Sequence, residues 1–343
     1  MVAAILSEAA ARAPAAPRTV FIGGGTPSLL SPAQLARFFD GLERESGFRS
    51  SAIEVTVECN PESLDGEKAA LLLELGATRL SIGFQSLKDD VLERLGRVHT
   101  AADSLRAFAA ARAAGCRDLS VDLIFAAPGH ATEDWPRDLA TVLDLAPEHF
   151  SAYNLTFEED TVFQRWLESG RIARQPEEDE LELFRITREM ALARGYEAYE
   201  ISNFARPGRR CRHNEGYWQN GPYVGLGPSA VSHVGGRRSG NVRAIRAYLR
   251  RIAAGDCAAD WSEKLGPRAR LGETWWLGLR TADGVDPAAA RAIAGFEGER
   301  DPALAVAREL VGLGFLRAVE GRYRLSAAGL PVADAIASRF LNG

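Results

Sequence analysis

The chain has 343 residues, of which 46% are apolar and 25% charged, with a mean hydropathy of −0.14. This balance excludes a disordered polymer and supplies core enough for one large α/β domain or two domains. No window approaches the run of about 18 apolar residues that a membrane span needs, and no signal peptide opens the chain, so a cytoplasmic protein without a transmembrane segment is expected.

The first 160 residues alternate strand and helix. Strands are expected at Thr19–Ile22, Ile53–Cys59, Arg79–Gly83, Leu119–Phe125 and Phe150–Thr156, with helices at Pro32–Glu43, Gly66–Leu75, Ala101–Ala114 and Thr132–Leu145. Ser31 before Pro32 and Thr132 before Glu133 read as helix starts, and Gly76 and Gly115 as helix ends. Repeated β–α units with short joints imply a parallel sheet, open or closed into a barrel. After residue 160 come a polar helix (Glu177–Arg194), a short strand (Tyr196–Ile201), an irregular stretch to about residue 240 and a helix at Val242–Ala254. Helices at Ala269–Leu279, Pro287–Ala294 and Pro302–Leu313 then precede a hairpin (Leu316–Val319, Tyr323–Leu325) and a closing segment, Ser326–Leu341, a winged-helix-like pattern.

Charge is unevenly placed about a net of −5. Residues 157–182 hold nine acids, including Glu158, Glu159 and Asp160, against three arginines, and residues 205–251 hold ten arginines against Glu215. An acidic run is ordinarily a solvated helix face, but the arginine excess suggests an anionic partner. Cys59, Cys116, Cys211 and Cys257 lie far apart, as do the five histidines, so neither a disulfide framework nor a self-contained metal motif is visible.

The stretch Phe21–Leu30, FIGGGTPSLL, reads as a buried strand entering a turn whose three glycines bring bare amides close to a polar ligand. In parallel α/β architectures the site lies at the C-terminal strand ends. Those ends hold Gly25, Thr26 and Pro27, then Glu58 in TVECNP, Gln85 in LSIGFQS and Asp122 in SVDLIF, with Arg97 nearby. Each alone has a structural explanation as a cap, a satisfied core group or an ion pair. Together they offer acceptors for an amino group and hydroxyls, and donors for a carboxylate, suited to a small zwitterionic or nucleoside ligand.

In this order GGGTPSLL, VECNP, LSIGFQS, LERLGRVH and VDLIFAAPG resemble the radical S-adenosylmethionine (SAM) proteins related to oxygen-independent coproporphyrinogen III oxidase. CRHNEGYW (Cys211–Trp218) and LGLRTADGVD (Leu277–Asp286) favour the HemW branch, the heme chaperones, over the oxidases. The resemblance implies an α/β fold: a partial (β/α)6 barrel over residues 1–160, an extension over 161–260 and a small winged-helix-like α+β domain over 261–343. It places Gly25, Thr26 and Pro27 at the methionine moiety of SAM, Glu58, Gln85, Arg97 and Asp122 at its ribose and carboxylate, and Thr156 on the adenine side. His213, Asn214, Tyr217 and Trp218 form the HNxxYW element, implied to handle heme. His213 is open to two readings, an iron ligand or a hydrogen-bonded structural histidine, and the surrounding arginines could pair with heme propionates.

The family's [4Fe–4S] cluster needs CxxxCxxC after the first barrel strand. Met1–Ala11 reads as the first barrel helix, so that strand and its cysteines are expected to be absent, and the four cysteines present cannot replace them. The expectation is a heme-binding chaperone, handing heme or porphyrin to an apoprotein, without SAM cleavage in this chain. Its unpaired sheet edge would invite association, as in a homodimer. The alternatives are oxidative decarboxylation of coproporphyrinogen III and nucleic-acid binding through Arg206–Arg251. The latter is disfavoured by balanced charge in the C-terminal domain and the lack of stacking aromatics.

Overall fold

The computed structural model describes residues 1–157 and 161–341, so Glu158, Glu159 and Asp160 of the acidic run lie outside the described residues. The chain divides into two compact units. One, here the sheet unit, comprises Phe21–Pro32 and Glu54–Cys211; the other, the helical unit, comprises Met1–Val20, Ala33–Ile53 and the chain from Arg212 onward. Among the described residues no helix is long and apolar enough to cross a membrane.

The expected α/β sheet is present as an open, mixed sheet of seven strands, with β1 at one edge. In chain order its strands are β1 (Thr19–Ile22), β2 (Glu54–Cys59), β3 (Arg79–Gln85), β4 (Leu119–Phe125), β5 (His149–Asn154), β6 (Glu197–Ala198) and β7 (Asn203–Ala205), and spatially β6 and β7 exchange places. Strands β2 to β5 are parallel, while β7 joins β5 and β6 antiparallel. The strand expected at Tyr196–Ile201 is shortened to β6, and β7 follows in the stretch read as irregular; between them Glu200 accepts from Ser202 N at 2.9 Å and from the Asn203 amide. The helix expected from Thr132 begins at Trp135, the preceding residues forming a turn in which Asp134 N donates to Ala131 O.

Alternation along these strands separates two faces. One is apolar and buried (Val55, Val57, Leu80, Ile82, Phe84, Val121, Leu123, Phe150). Helices seal it: Ala101–Ala113 buries Ser104, Ala107, Phe108 and Ala111, an i, i+3, i+4, i+7 stripe, and its start is fixed by a Thr100–Asp103 capping box. The other face carries Glu54, Thr56, Glu58, Arg79, Ser81, Ser120, Asp122, His149 and Ser151 at every second position. Parallel strands are ordinarily apolar on both faces; here one face is a polar row, most of it buried.

In the helical unit the stretch read as irregular before residue 240 contains a helix, Arg212–Trp218, and two strands, β8 (Val231–Val234) and β9 (Arg237–Asn241), which pair antiparallel with β10 (Ala259–Lys264). Gly235 and Gly236, both at positive φ, make a two-residue hairpin turn. Its strands escaped notice because β9 and β10 are too polar to show an apolar period. Glu8, on the helix Val2–Arg12, is buried and accepts from Gly227 N, Asn241 Nδ2 and Tyr248 Oη at 2.8, 2.8 and 2.7 Å. The C-terminal segment follows the expected order of helices Pro267–Leu279, Pro287–Ala294 and Pro302–Gly312, the hairpin β11 (Leu316–Val319)–β12 (Arg322–Leu325) and a final helix, Ala333–Leu341. Trp275 stacks on Phe340 at 5.2 Å between ring centroids in its core.

Candidate functional site

In the sheet unit, register brings the polar residues into line. Glu58 pairs with Ser81, and Gly83 with Asp122, which in turn pairs with Ser151. Ser81 Oγ donates to Asp122 Oδ2 at 2.9 Å, and Gly24 N donates to Glu58 Oε2 at 3.0 Å. Burial holds both carboxyls above their ordinary values. For Glu58 the Gly24 amide opposes the shift and the Asp122 charge adds to it; for Asp122 hydrogen bonds from Ser151 and Ser81 oppose it. Two half-buried carboxyls, Glu58 raised further by the charge of Asp122, are poised for a cationic or hydroxyl-bearing ligand.

The glycine turn is fitted to this pair. A Cβ on Gly23 would lie 2.5 Å from Glu58 Oε2 and 2.8 Å from the Phe21 ring, so only glycine lets the carboxylate sit there. A Cβ on Gly25 would meet nothing within 4 Å, leaving open space above its backbone. Behind the turn, Pro27–Leu29 forms a short 3-10 helix, Ser28 Oγ bonds Ser63 Oγ at 2.6 Å, and Lys68 Nζ donates to Ser28 O at 2.6 Å.

Gln85 ends β3 at φ +65°, where the β3–β4 register slips past Gly83. Such a bulge re-aims one side chain, and the Gln85 amide nitrogen would lie 2.6 Å from a Cβ built on Gly83. Asn60, absent from the sequence-derived set, sits between these parts. Its Nδ2 donates to Thr26 Oγ1 at 3.2 Å and to Glu62 Oε1 at 3.1 Å, and its N donates to Ser28 Oγ at 3.2 Å. A polar side chain between strand end and proline in VECNP was the available signal. Arg97 is half-buried, and its Nε is enclosed without a hydrogen-bond partner among the described residues. Thr156 stands apart. β5 ends at Asn154, and Thr156 is exposed beyond it with its hydroxyl 3.5 Å from Asn154 O.

In the helical unit, the helix Arg212–Trp218 sets His213 and Tyr217 one turn apart, and His213 Nε2 bonds Tyr217 Oη at 2.8 Å. His213 Nδ1 bonds Thr19 Oγ1 at 2.9 Å, so both ring nitrogens are engaged. Asn214 is half-buried, and the Trp218 ring lies under Arg280 at 5.2 Å. Tyr217 stacks edge-on to Tyr223 at 4.6 Å, and Tyr223 in turn faces His233 at 6.1 Å. Tyr217, Tyr223, Val231, His233, Arg238 and Leu277 line a cavity of about 280 Å³. Of the ten arginines in residues 205–251, five pair with carboxylates among the described residues: in the helical unit Arg212 with Glu215, Arg238 with Glu263 and Glu273, and Arg251 with Asp260. In the sheet unit Arg209 faces Asp118 and Arg210 faces Glu197.

A glycine turn feeding a polar row on parallel strands defines an α/β protein of the radical SAM type, and the radical SAM superfamily model matches residues 2–142. The heme chaperone HemW of Bacillus subtilis is 38% identical over 268 residues, which cover 78% of this chain and 71% of that protein. The heme chaperone HemW of Mycobacterium tuberculosis is 34% identical over 94% of this chain and 80% of its own length. The chain belongs to the HemW family. In fold it resembles the coproporphyrinogen III oxidase HemN of Escherichia coli, a radical SAM enzyme, with a TM-score of 0.84 at 21% identity over 99% of this chain and 82% of that one.

The superfamily implies SAM and a [4Fe–4S] cluster. The sheet unit fits SAM: an enclosed guanidinium nitrogen without a partner, open space over Gly25 and two carboxyls at one strand mouth. The four cysteines do not fit the cluster. Cys59 and Cys116 point their sulfurs at Val57 O and Asp118 O, Cys211 faces Glu54, and Cys257 is exposed. Among the described residues no three metal-ligating side chains converge.

Proposed function

We propose that this chain binds heme in its helical unit and passes it to an apoprotein acceptor, with SAM held by its sheet unit. The observation that carries the heme reading is the aromatic-lined cavity of about 280 Å³ walled by Tyr217 of the HNxxYW helix, in a chain whose relatives are heme chaperones. That volume lies just below the roughly 300–1,000 Å³ of pockets that engulf a small ligand. A porphyrin would seat one edge and leave the rest accessible, as cargo awaiting transfer requires. His213 would serve this site indirectly, by fixing the Tyr217 hydroxyl, with Asn214 beside it on the same helix.

For SAM, Gly25, Thr26 and Pro27 would meet the methionine moiety with backbone amides, and Arg97 would pair its carboxylate. Glu58, Gln85 and Asp122 would take the ribose hydroxyls and the ammonium, with Thr156 on the adenine side. SAM bound here supplies a sulfonium centre; the chain's own residues orient it and exclude water from the strand mouth. Heme titration followed by the Soret band, then mixing with an apo-heme protein, tests the reading. A Soret shift and transfer to the acceptor are expected; an unshifted band removes it.

A further inference from the structure

The cavity is lined by an imidazole on a residue that the HNxxYW element does not include. His233 lies on β8 and is 5% exposed. Its backbone is locked to Tyr223 by a reciprocal pair of hydrogen bonds, Tyr223 N to His233 O at 2.9 Å and His233 N to Tyr223 O at 2.8 Å. Its ring Nδ1 lies 3.2 Å from Gly221 O. A carbonyl oxygen only accepts, so Nδ1 carries a proton, and the tautomer this selects has its lone pair at Nε2. Nε2 has no hydrogen-bond partner among the described residues. A ring whose Nδ1–H is pinned to a backbone carbonyl, with Nε2 open to a cavity, is prepared as a metal ligand.

His213 differs in each respect. Its two nitrogens bond the hydroxyls of Thr19 and Tyr217. In either tautomer one of those hydroxyls occupies the ring's lone pair, and a metal could bind only by displacing it.

We propose that His233, through Nε2, is the axial ligand to the iron of heme bound in this cavity, and that His213 is a positioning residue that holds Tyr217 against the bound ring. The proposal rests on the heme reading of the cavity. Tyr217 and Tyr223, edge-on to one another, supply an aromatic wall, and Leu277 and Val231 complete the lining. Arg238 is already held by Glu263 and Glu273, so the iron–imidazole bond, rather than a propionate pair at this arginine, fixes the ring.

The test is hemin titration of the wild-type chain and of His233→Asn, His213→Ala and Val231→Phe, read by the Soret band and by the electron paramagnetic resonance of the ferric complex, with circular dichroism confirming the fold. Asparagine keeps a donor for Gly221 O but cannot replace Nε2. His233→Asn is expected to abolish the imidazole-ligated spectrum and weaken binding by at least about tenfold. His213→Ala is expected to keep that spectrum. Val231→Phe narrows the cavity without touching either histidine and is expected to weaken binding. A wild-type spectrum in His233→Asn, or its loss in His213→Ala alone, overturns the assignment. Should His233→Asn fail to fold, Val231→Phe decides, and unchanged hemin affinity there overturns it. If the wild-type chain itself binds no hemin, the heme reading fails instead.

Discussion

The two candidate sites are built by different means. In the sheet unit the residues sit on consecutive parallel strands, and register fixes their separations before any side chain is placed. In the helical unit the parts are a helix and an isolated β-bridge between Tyr223 and His233, joined by an aromatic chain from His213 through Tyr217 to Tyr223 rather than by a shared sheet. A site set by backbone register can hold strained or half-desolvated groups, because the sheet over-determines them. A site set by packing depends on each ring staying where its neighbours put it.

The strongest way to break this contrast is at the glycine turn. Gly23→Ala would drive a Cβ to 2.5 Å from Glu58 Oε2 and 2.6 Å from its Cδ. It should cost about 1–3 kcal/mol of stability, as overpacking does, and abolish SAM binding by displacing the carboxylate. Gly25→Ala, whose Cβ meets nothing, should leave the unfolding temperature unchanged and still weaken SAM, because only a ligand would contest that space. Calorimetric titration beside thermal unfolding separates the two. Equal SAM affinity in Gly25→Ala and wild type would show that no ligand lies over the turn.

Arg97→Ala ranks next. A charge-assisted hydrogen bond contributes about 1.5–3 kcal/mol, so SAM affinity should fall by roughly ten- to hundredfold. Stability should hold, because the enclosed Nε has no partner to lose among the described residues.

Much of the sheet unit was legible because its chemistry interrupts apolar strands: Glu58 and Asp122 are conspicuous within TVEC and SVDL. Period-two alternation also held Ser81 and Ser151, but a serine in a strand carries too little signal to be singled out. Asn60 was missed because its role depends on Thr26, 34 residues away. Thr156 was read as a strand end, yet β5 stops two residues earlier. In the helical unit HNxxYW was visible as a motif, whereas Tyr223 and His233 become neighbours only through a bridge flanked by polar strands with no apolar period. The arginine excess did not reveal pairing, which is a property of the fold: a count of charges cannot show that Arg238 lies between two glutamates.

Acidity should act on the sheet unit in two opposite directions. His149 is buried between Ser120 Oγ at 2.8 Å and Tyr199 Oη at 2.9 Å. Burial, aided by the Arg79 charge, holds its pKa well below the ordinary 6.5. The unfolded chain therefore binds the extra proton first, and stability falls as pH drops below about 6.5. Glu58 and Asp122 are raised, so the native state keeps their protons longer and their ionisation lowers stability as pH rises through the carboxylate range. His149→Gln should flatten the acid-side decline in unfolding temperature. Glu58→Gln should raise that temperature at neutral pH by on the order of 1 °C while weakening SAM. A Glu58→Gln chain that is both less stable and unaltered in SAM binding would show that the carboxylate is structural.

The smallest effect separates positioning from support. Asn60 Nδ2 reaches Thr26 and Glu62 at 3.2 and 3.1 Å, long bonds at a half-buried residue. Removing them should cost about 0.5–1.5 kcal/mol where they matter. If they matter to the ligand, Asn60→Ala raises the SAM dissociation constant by roughly three- to tenfold and leaves unfolding unchanged, because the turn is also pinned by the Ser28–Ser63 and Lys68–Ser28 bonds. If they matter to the fold, unfolding shifts and SAM follows only through the loss of folded protein. Asn60→Asp adds a carboxylate beside Glu62 and leaves Thr26 Oγ1 as its donor, so it should recover part of the affinity at the cost of charge repulsion. A full loss of binding in Asn60→Asp with normal unfolding would mean that the amide touches SAM itself rather than orienting the turn that does.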